Sequence, residues 1–453
     1  MSLRNVLFLS YFFPPRGGAG VQRALKFVKY LPGFGWRPLV VANGTAGDDG
    51  VAREQDRTLL ADLPADSVIR YTTLSALETR RYKSWTGPLG RRLCATDPMG
   101  WWVSPAVRAA EQLAKEHGAE AILVTMSPFT AAEAGLGLKR RLKLPLVLDL
   151  RDPWAMDETR IYPTRWHARR DWAAMRRAMI GADLVIMNTP QAKKAAEDAF
   201  APVRVVDITN GYDEEDFGQA GVEPAPADVL RIVHSGEFHT ALARVWDQVR
   251  AGAGWAARLK APRRPIDLWT RTPSYLLGAI QRLVGGGSIP AGKIELVLVG
   301  RLSEEDRRML AESRLGEIIR TTGYLPHRQS VAHLESADLL FLPNHTPLDG
   351  GPALVVPGKT YEYLRAGPPV LAMGPPGDMR DFVVECGAGV ALAGDDVAGC
   401  CAAIERFYKA KLAGERWAQR DRARIARFDR RSLAARLAQE LDRLVAAERV
   451  ARP

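Results

Sequence analysis

The chain has 453 residues, enough for about two or three domains at ~150 residues each. With 47% hydrophobic and 25% charged residues it has the balance of an ordinary soluble globular protein able to bury a large core, and no apolar run reaches the ~18 residues of a membrane span. The net charge of +11 favours anionic partners: nucleotides, acidic membrane surfaces or nucleic acid. Nucleic acid is disfavoured, because no RNA- or DNA-binding motif is visible and the basic residues are scattered through helices. Cys94, Cys386, Cys400 and Cys401 have neither zinc-ligand nor disulfide-framework spacing. They read as small buried hydrophobes in a reducing compartment.

Along the chain, the apolar run Val6–Phe13 follows Arg4 and mimics a signal peptide. It is short, ends at Pro14-Pro15 and lacks a small-residue cleavage site, so a buried first strand is the better reading. Further strands are predicted at Leu39–Ala42, Ala121–Thr125, Leu146–Leu150, Leu184–Asn188 and Val203–Ile208. Helices are predicted between them, at Val21–Tyr30, Pro105–His117 and Thr130–Arg141. Asp213–Asp228, acidic with Gly and Pro, reads as a linker. A second alternating set follows at Ile232–Ser235, Glu295–Val299, Ile318–Thr322, Leu339–Leu342, Val370–Ala372 and Val390–Leu392. This rhythm predicts two doubly wound α/β domains, whose ligands would sit beyond the carboxyl ends of the strands, in a cleft where two such sheets face. Two segments fit the rhythm poorly. Residues 75–105 hold Trp85, Trp101 and Trp102, and residues 241–270 hold Trp246, Trp255 and Trp269. Each reads either as an acceptor lid or membrane-surface element, or as an amphipathic helix packing its Trp on the core. The basic tail from about Arg416 reads as helix with a solvated face.

The most informative stretch runs from Val356 to Ala372. Pro357 and Gly358 mark a helix start, Gly367-Pro368 a stop, and Val370 opens a strand. A helix N-terminus offers N–H groups and partial positive charge to an anion. Gly358 allows close approach, Lys359 adds a full charge, Thr360 follows, and Glu362 lies a turn on, where a carboxylate accepts hydrogen bonds from a sugar's hydroxyl pair. Phosphate and sugar recognition in one turn suggests a nucleotide-sugar site; ordinary capping is the alternative. Gly17-Gly18-Ala19-Gly20 opens another helix after the first strand. It is not a full Gly-x-Gly-x-x-Gly fingerprint, since Arg23 takes the third glycine's place. A purely structural tight turn is the alternative. The seven histidines lack paired spacing and there is no Asp-x-Asp motif, so no metal site is expected.

Five segments in order carry a resemblance to family 4 of the retaining glycosyltransferases. They are Leu7–Arg23, Ser127-Pro128 with Leu148–Trp154, Ile208–Phe217, Thr322–Pro326 with Ala337–Leu339, and the Val356–Ala372 stretch. The resemblance implies an α/β GT-B fold of two Rossmann-like doubly wound domains facing across a cleft. It implies an N-terminal acceptor-side domain over 1–222, a donor domain over 223–430, and a C-terminal helix over 431–453 packing back toward the first domain. The implied activity is transfer of a sugar from a nucleotide-diphosphate sugar, used as co-substrate without a further cofactor or metal. The acceptor would be a glycan or lipid-linked glycan of a cell-surface polysaccharide. The protein would be cytoplasmic, with peripheral contact at an acidic membrane face.

By the same resemblance, donor contacts fall to Gly17, Gly18, Gly358, Lys359, Thr360, Glu362, Tyr324 and Arg271. Chemistry falls to Arg151, Asp152, Arg271 and Lys359. Lys359 and Arg271, with Arg301 as a weaker third, would offset charge on the leaving diphosphate, since a helix dipole alone supplies only about 0.3–2 kcal/mol. Asp152 would orient an acceptor or sugar hydroxyl. Its alternative is an Arg-Asp pair capping the next helix, and that of Arg271 or Arg301 a surface salt bridge. Tyr324 would stack on the base or sit in the core or rim. Many relatives carry two glutamates eight positions apart; here the first position is Leu354. Asp349 is a candidate substitute, with a turn role as its alternative. A sugar-nucleotide epimerase and a non-catalytic glycan- or partner-binding protein of the same fold are the competing functions.

Overall fold

A computed structural model describes residues 3–44, 55–86, 94–218, 221–252, 254–415 and 420–451. The chain forms two compact units. One comprises Met1–Gly211, Leu259–Arg263 and Arg430–Pro453, the other Tyr212–Arg258 and Arg264–Asp429. The expected boundary after residue 222 therefore lies within the second unit.

The first unit is built on seven parallel strands: β1 (Arg4–Ser10), β2 (Trp36–Asn43), β3 (Val68–Thr72), β4 (Ala121–Met126), β5 (Leu146–Leu150), β6 (Leu184–Met187) and β7 (Val205–Asp207). Their order is β3-β2-β1-β4-β5-β6-β7. The central strands are continuous apolar runs because helices cover both faces; Val6 to Leu9 are fully buried. Sequence reading missed β3. It is an edge strand, half-exposed and interrupted by Arg70, so it lacks the apolar run that marks the others. Helices α1 (Ala19–Tyr30), α2 (Val103–His117), α3 (Ala131–Leu142), α4 (Arg165–Gly181) and α5 (Pro190–Phe200) flank the sheet.

The second unit carries six parallel strands: β8 (Leu230–Ser235), β9 (Ile294–Val299), β10 (Ile319–Gly323), β11 (Leu339–Pro343), β12 (Val370–Met373) and β13 (Gly389–Leu392). Their order is β10-β9-β8-β11-β12-β13. In each unit the order reverses beside the first strand, at the crevice where such sheets bind ligands. Helices α6 (Ser274–Gly285), α7 (Lys359–Ala366) and α8 (Val397–Leu412) follow in this unit. The last helix, α9 (Arg430–Ala451), joins the core of the first. Leu433, Leu437 and Leu441 are fully buried along one stripe, and each such burial is worth about 1.5–3 kcal/mol. The Trp36 indole donates to Asp442 at 2.8 Å, and Arg449 pairs with Glu120 at 2.6 Å.

One expectation needs revision, and the Trp-rich segments largely take the core-packing reading of their two alternatives. Asp213–Asp228 is not a solvated linker in its first part. Asp213 and Asp216 are 4% exposed, and Phe217 is buried beneath the Arg365 guanidinium at 4.8 Å. Trp101 and Trp102 are core residues packed on Tyr11, and the Trp102 indole donates to Thr72 at 3.0 Å; the Trp85 side chain lies outside the described residues. Trp246 is buried and Trp269 donates to Asp247 at 2.7 Å, whereas Trp255 is 74% exposed. Among the described residues no helix is long and apolar enough to cross a membrane.

Candidate active site

In the second unit the site lies where β8, β9, β10 and β11 end. Gly236 follows β8 and Gly300 follows β9, with φ of 102° and 129°. A Cβ on Gly300 would stand 3.2 Å from the Gly236 backbone, and one on Gly236 would stand 3.0 Å from the Lys359 Nζ. These two glycines let two loops and a lysine converge, which no L side chain at those torsions permits. Lys359 opens α7. Its stem is partly exposed but its ammonium is enclosed, donating at 2.9 Å to the Nε2 of His234, itself 1% exposed.

The His234 tautomer follows from its partners. The Nδ1 lies 2.9 Å from the Phe341 carbonyl, which only accepts, so Nδ1 carries the proton and Nε2 accepts from Lys359. Burial first and the Lys359 charge second hold His234 well below the usual imidazole range. Stacking on Phe238 at 4.1 Å fixes the ring. Arg271 brings its guanidinium within 3.4 Å of the fully buried His345. Nearby His239 is lowered to about 2 by burial and by the charges of Arg271 and Lys359. Burial, then the Arg271 charge, lowers Lys359 itself to about 7, with Glu362 and Glu237 acting in opposition. Two half-buried cations beside His234 and His239, both held neutral, form a positive site suited to an anion.

The remaining predicted donor residues are placed as follows. Gly358 is exposed with an ordinary helical φ of −56°, and a Cβ there would meet nothing within 4 Å. Neither backbone strain nor crowding from the protein calls for glycine at this position. Thr360 is fully buried and donates its N–H to Pro357 at 2.9 Å, so its amide closes the turn into the helix. Glu362 lies in the first turn of α7 with the His327 imidazole 3.6 Å away. Tyr324 follows β10, is 45% exposed and carries the Arg301 guanidinium 5.4 Å from its ring centroid. It is a rim residue, not a core one. Asp349 is held by the Arg264 fork, with Nε at 2.7 Å, and accepts from the Gly351 N–H at 3.0 Å. This is the turn role, and those bonds hold its carboxyl at about 2.

In the first unit Gly17 and Gly18 precede α1, Gly18 with φ of 94°. Arg151, at the end of β5, donates to the Ser127 hydroxyl at 2.9 Å and to the Gly20 carbonyl, tying the β4 and β5 loops to the first turn of α1. These two contacts reach the glycine loop and the end of β4. Asp152 follows it, partly buried. Arg23, in place of a third glycine, is 2% exposed and grips Asp149 of β5 through Nε at 2.9 Å and Nη2 at 2.6 Å. It also donates to the carbonyls of Thr209 at 2.6 Å and Ile208 at 2.8 Å. Sequence reading missed His234, Gly236, His239 and His345. The one signal available was Gly236 directly after a predicted strand; the histidines carry no local pattern because His234 on β8 and His239 just after it join His345, which follows the separate strand β11.

Two glycine-opened, parallel, doubly wound sheets with a cationic helix N-terminus at the carboxyl edge of the second define a GT-B protein. Residues 17–216 match the model of Glycosyltransferase Family 4. The fold is shared with the sucrose-phosphate synthase of Thermosynechococcus elongatus, with a TM-score of 0.65, 14% identity, and coverage of 98% of this chain and 100% of that one. It is also shared with the alpha,alpha-trehalose 6-phosphate synthase of Burkholderia multivorans, at a TM-score of 0.59 and 13% identity over 100% and 99% of the two chains. HepE of Anabaena, solved with UDP-glucose, gives a TM-score of 0.56 and 17% identity over 97% and 99%. No curated protein matches the sequence. Residues 17–216 are thus similar to Glycosyltransferase Family 4, and the chain as a whole shares the GT-B fold of these structures.

Proposed function

We propose that the protein is a retaining glycosyltransferase that takes a sugar from a nucleotide-diphosphate sugar and passes it to a glycan or lipid-linked acceptor in cell-surface polysaccharide synthesis. It would act at the cytoplasmic face of an acidic membrane. The observation carrying this is the enclosed Lys359 ammonium beside Arg271 at the start of α7. As the bond from the sugar's anomeric carbon to the diphosphate breaks, charge grows on the leaving oxygen, and fixed cations meet it without reorganisation. The acceptor oxygen bonds to the same carbon, and its proton passes to the departing phosphate. Gly358 admits the diphosphate to the helix N-terminus, Glu362 holds the ribose hydroxyls and Tyr324 faces the base. Gly17 and Gly18 add donor contacts, and Arg151 and Asp152 serve the chemistry, Asp152 orienting an acceptor or sugar hydroxyl. Lys359 and Arg271 carry the electrostatic load, so no metal ion or further cofactor is required by this reading. The UDP-glucose bound to HepE supports a nucleotide-sugar donor.

Calorimetric titration with UDP, GDP and ADP, without and with magnesium, tests the proposal. The expected result is saturable binding of one nucleotide, insensitive to metal and lost in Glu362→Ala. Binding of none would shift the reading to a non-catalytic glycan-binding role. Gly358→Ala makes a sharper point: the variant should melt within about 1 °C of the parent or slightly higher, since alanine favours helix, yet bind the nucleotide at least about tenfold more weakly. Unchanged affinity would remove Gly358 from the site.

Proton linkage gives a further expectation. Lys359 releases its proton near pH 7 in the free protein and near its ordinary 10.5 when unfolded. Between these values the unfolded chain binds more protons, so this group makes folding stability rise with pH across that window. Nucleotide binding has the opposite sign, because the diphosphate favours the ammonium. Affinity should fall by up to about tenfold per pH unit above 7, with proton uptake visible as buffer-dependent heat. Lys359→Arg should flatten the profile; a wild-type profile already flat from pH 7 to 9 would contradict the assignment.

A further inference from the structure

Helix α4 presents an outer face that the chemistry above does not use. It runs 17 residues from a Thr164 cap and turns His167, Asp171, Met175, Ala178 and Met179 inward. Asp171, the one carboxylate on the helix, is fully buried and occupied by the Trp154 indole at 2.8 Å, the Tyr162 hydroxyl at 2.7 Å and Arg160. The outward residues form three rows. Trp166, Ala173 and Ile180 recur every second turn and so make one central apolar seam; Trp166 is 52% and Ile180 51% exposed. Arg165, Arg169 and Arg176 flank it on one side, Arg170 and Arg177 on the other, all exposed. Arg170 lies 5.4 Å from the Trp166 ring. Arg177 pairs with Glu133 at 2.6 Å, but both side chains are largely in water and such a pair holds little.

We infer that this face of α4 docks on an anionic phospholipid surface, with Trp166 and Ile180 entering the headgroup layer and the flanking arginines pairing with lipid phosphates. A seam of apolar side chains between two cationic rows is the pattern of helices that lie in a membrane interface, and an indole suits that depth. A nucleic acid would set its phosphates against the apolar seam. A second copy packed face to face across a two-fold axis would bring ten arginines together with only buried carboxylates on the helices to offset them. This places on one helix the membrane contact of the proposed function and rests on that reading only for its purpose; the surface binds or fails to bind independently of the donor site.

The test is vesicle flotation with the full chain, comparing phosphatidylcholine alone with the same lipid containing about 30% phosphatidylglycerol, at low and high salt. The expected result is binding to the anionic vesicles only, weakened by salt. Arg169→Glu with Arg176→Glu should lower the partition coefficient at least about tenfold. Trp166→Ser with Ile180→Ser should lower it several-fold while preserving the salt dependence. All four side chains are exposed, so the melting temperature and nucleotide affinity should stay at wild-type values. Absence of binding at low salt, or equal binding by both double variants and the parent, overturns the inference. So does a dimer in sedimentation that the Trp166→Ser, Ile180→Ser variant dissolves, since a second copy would then cover the helix. A parent that binds vesicles but no nucleotide would instead refute the donor-site reading alone.

Discussion

Lys359→Ala is expected to lower sugar transfer by about 10²–10³-fold, the usual effect of deleting one preorganised group that meets developing charge. The change removes an enclosed ammonium and leaves the His234 Nε2 without its donor. His234 is already neutral and hydrogen-bonded to Phe341 through Nδ1, so the fold should tolerate the loss. Removing a cation that is costly to bury should even offset part of the packing lost. Initial rates with the cognate donor, beside a thermal melt, separate the two effects. Lys359→Arg should recover nucleotide binding in part, but its wider guanidinium meets the narrow gap over Gly236. Transfer by Lys359→Ala within about twofold of wild type would place the chemistry elsewhere.

Arg23→Ala should destabilise the protein by about 3–5 kcal/mol, because it strands the Asp149 carboxylate in a fully buried position. Thr125 alone would still donate to it, at 2.8 Å. Urea unfolding gives the number. The double variant Arg23→Met, Asp149→Asn removes both charges and should recover most of the loss, as a cycle over a coupled pair requires. A single-variant loss below about 1 kcal/mol would mean that water reaches Asp149 and that the pair is not sealed. Asp149 stands two residues before Arg151, so the ion pair lies beside the contacts that Arg151 makes with the glycine loop.

The sequence by itself determined the two alternating sets of strands, because continuous Val, Leu and Ile runs bounded by Gly and Pro have few other stable uses. It determined the start of α7 as well: Pro357, Gly358 and Lys359 act through local backbone geometry, which a linear reading can follow. The edge strand β3 escaped because it is half-exposed and carries an arginine. Arg23 read only as a departure from a glycine fingerprint, since its partner lies 126 positions away on another strand. Only the tertiary structure made Lys359 an enclosed ammonium, moved Asp349 into a turn with Arg264, placed Gly20 and Arg23 against the end of β5, and left Trp166 and Ile180 outside. Each of these depends on which remote groups share a small volume of low polarity. Charge, desolvation and hydrogen bonding act through distance in space, and separation along the chain does not report that distance.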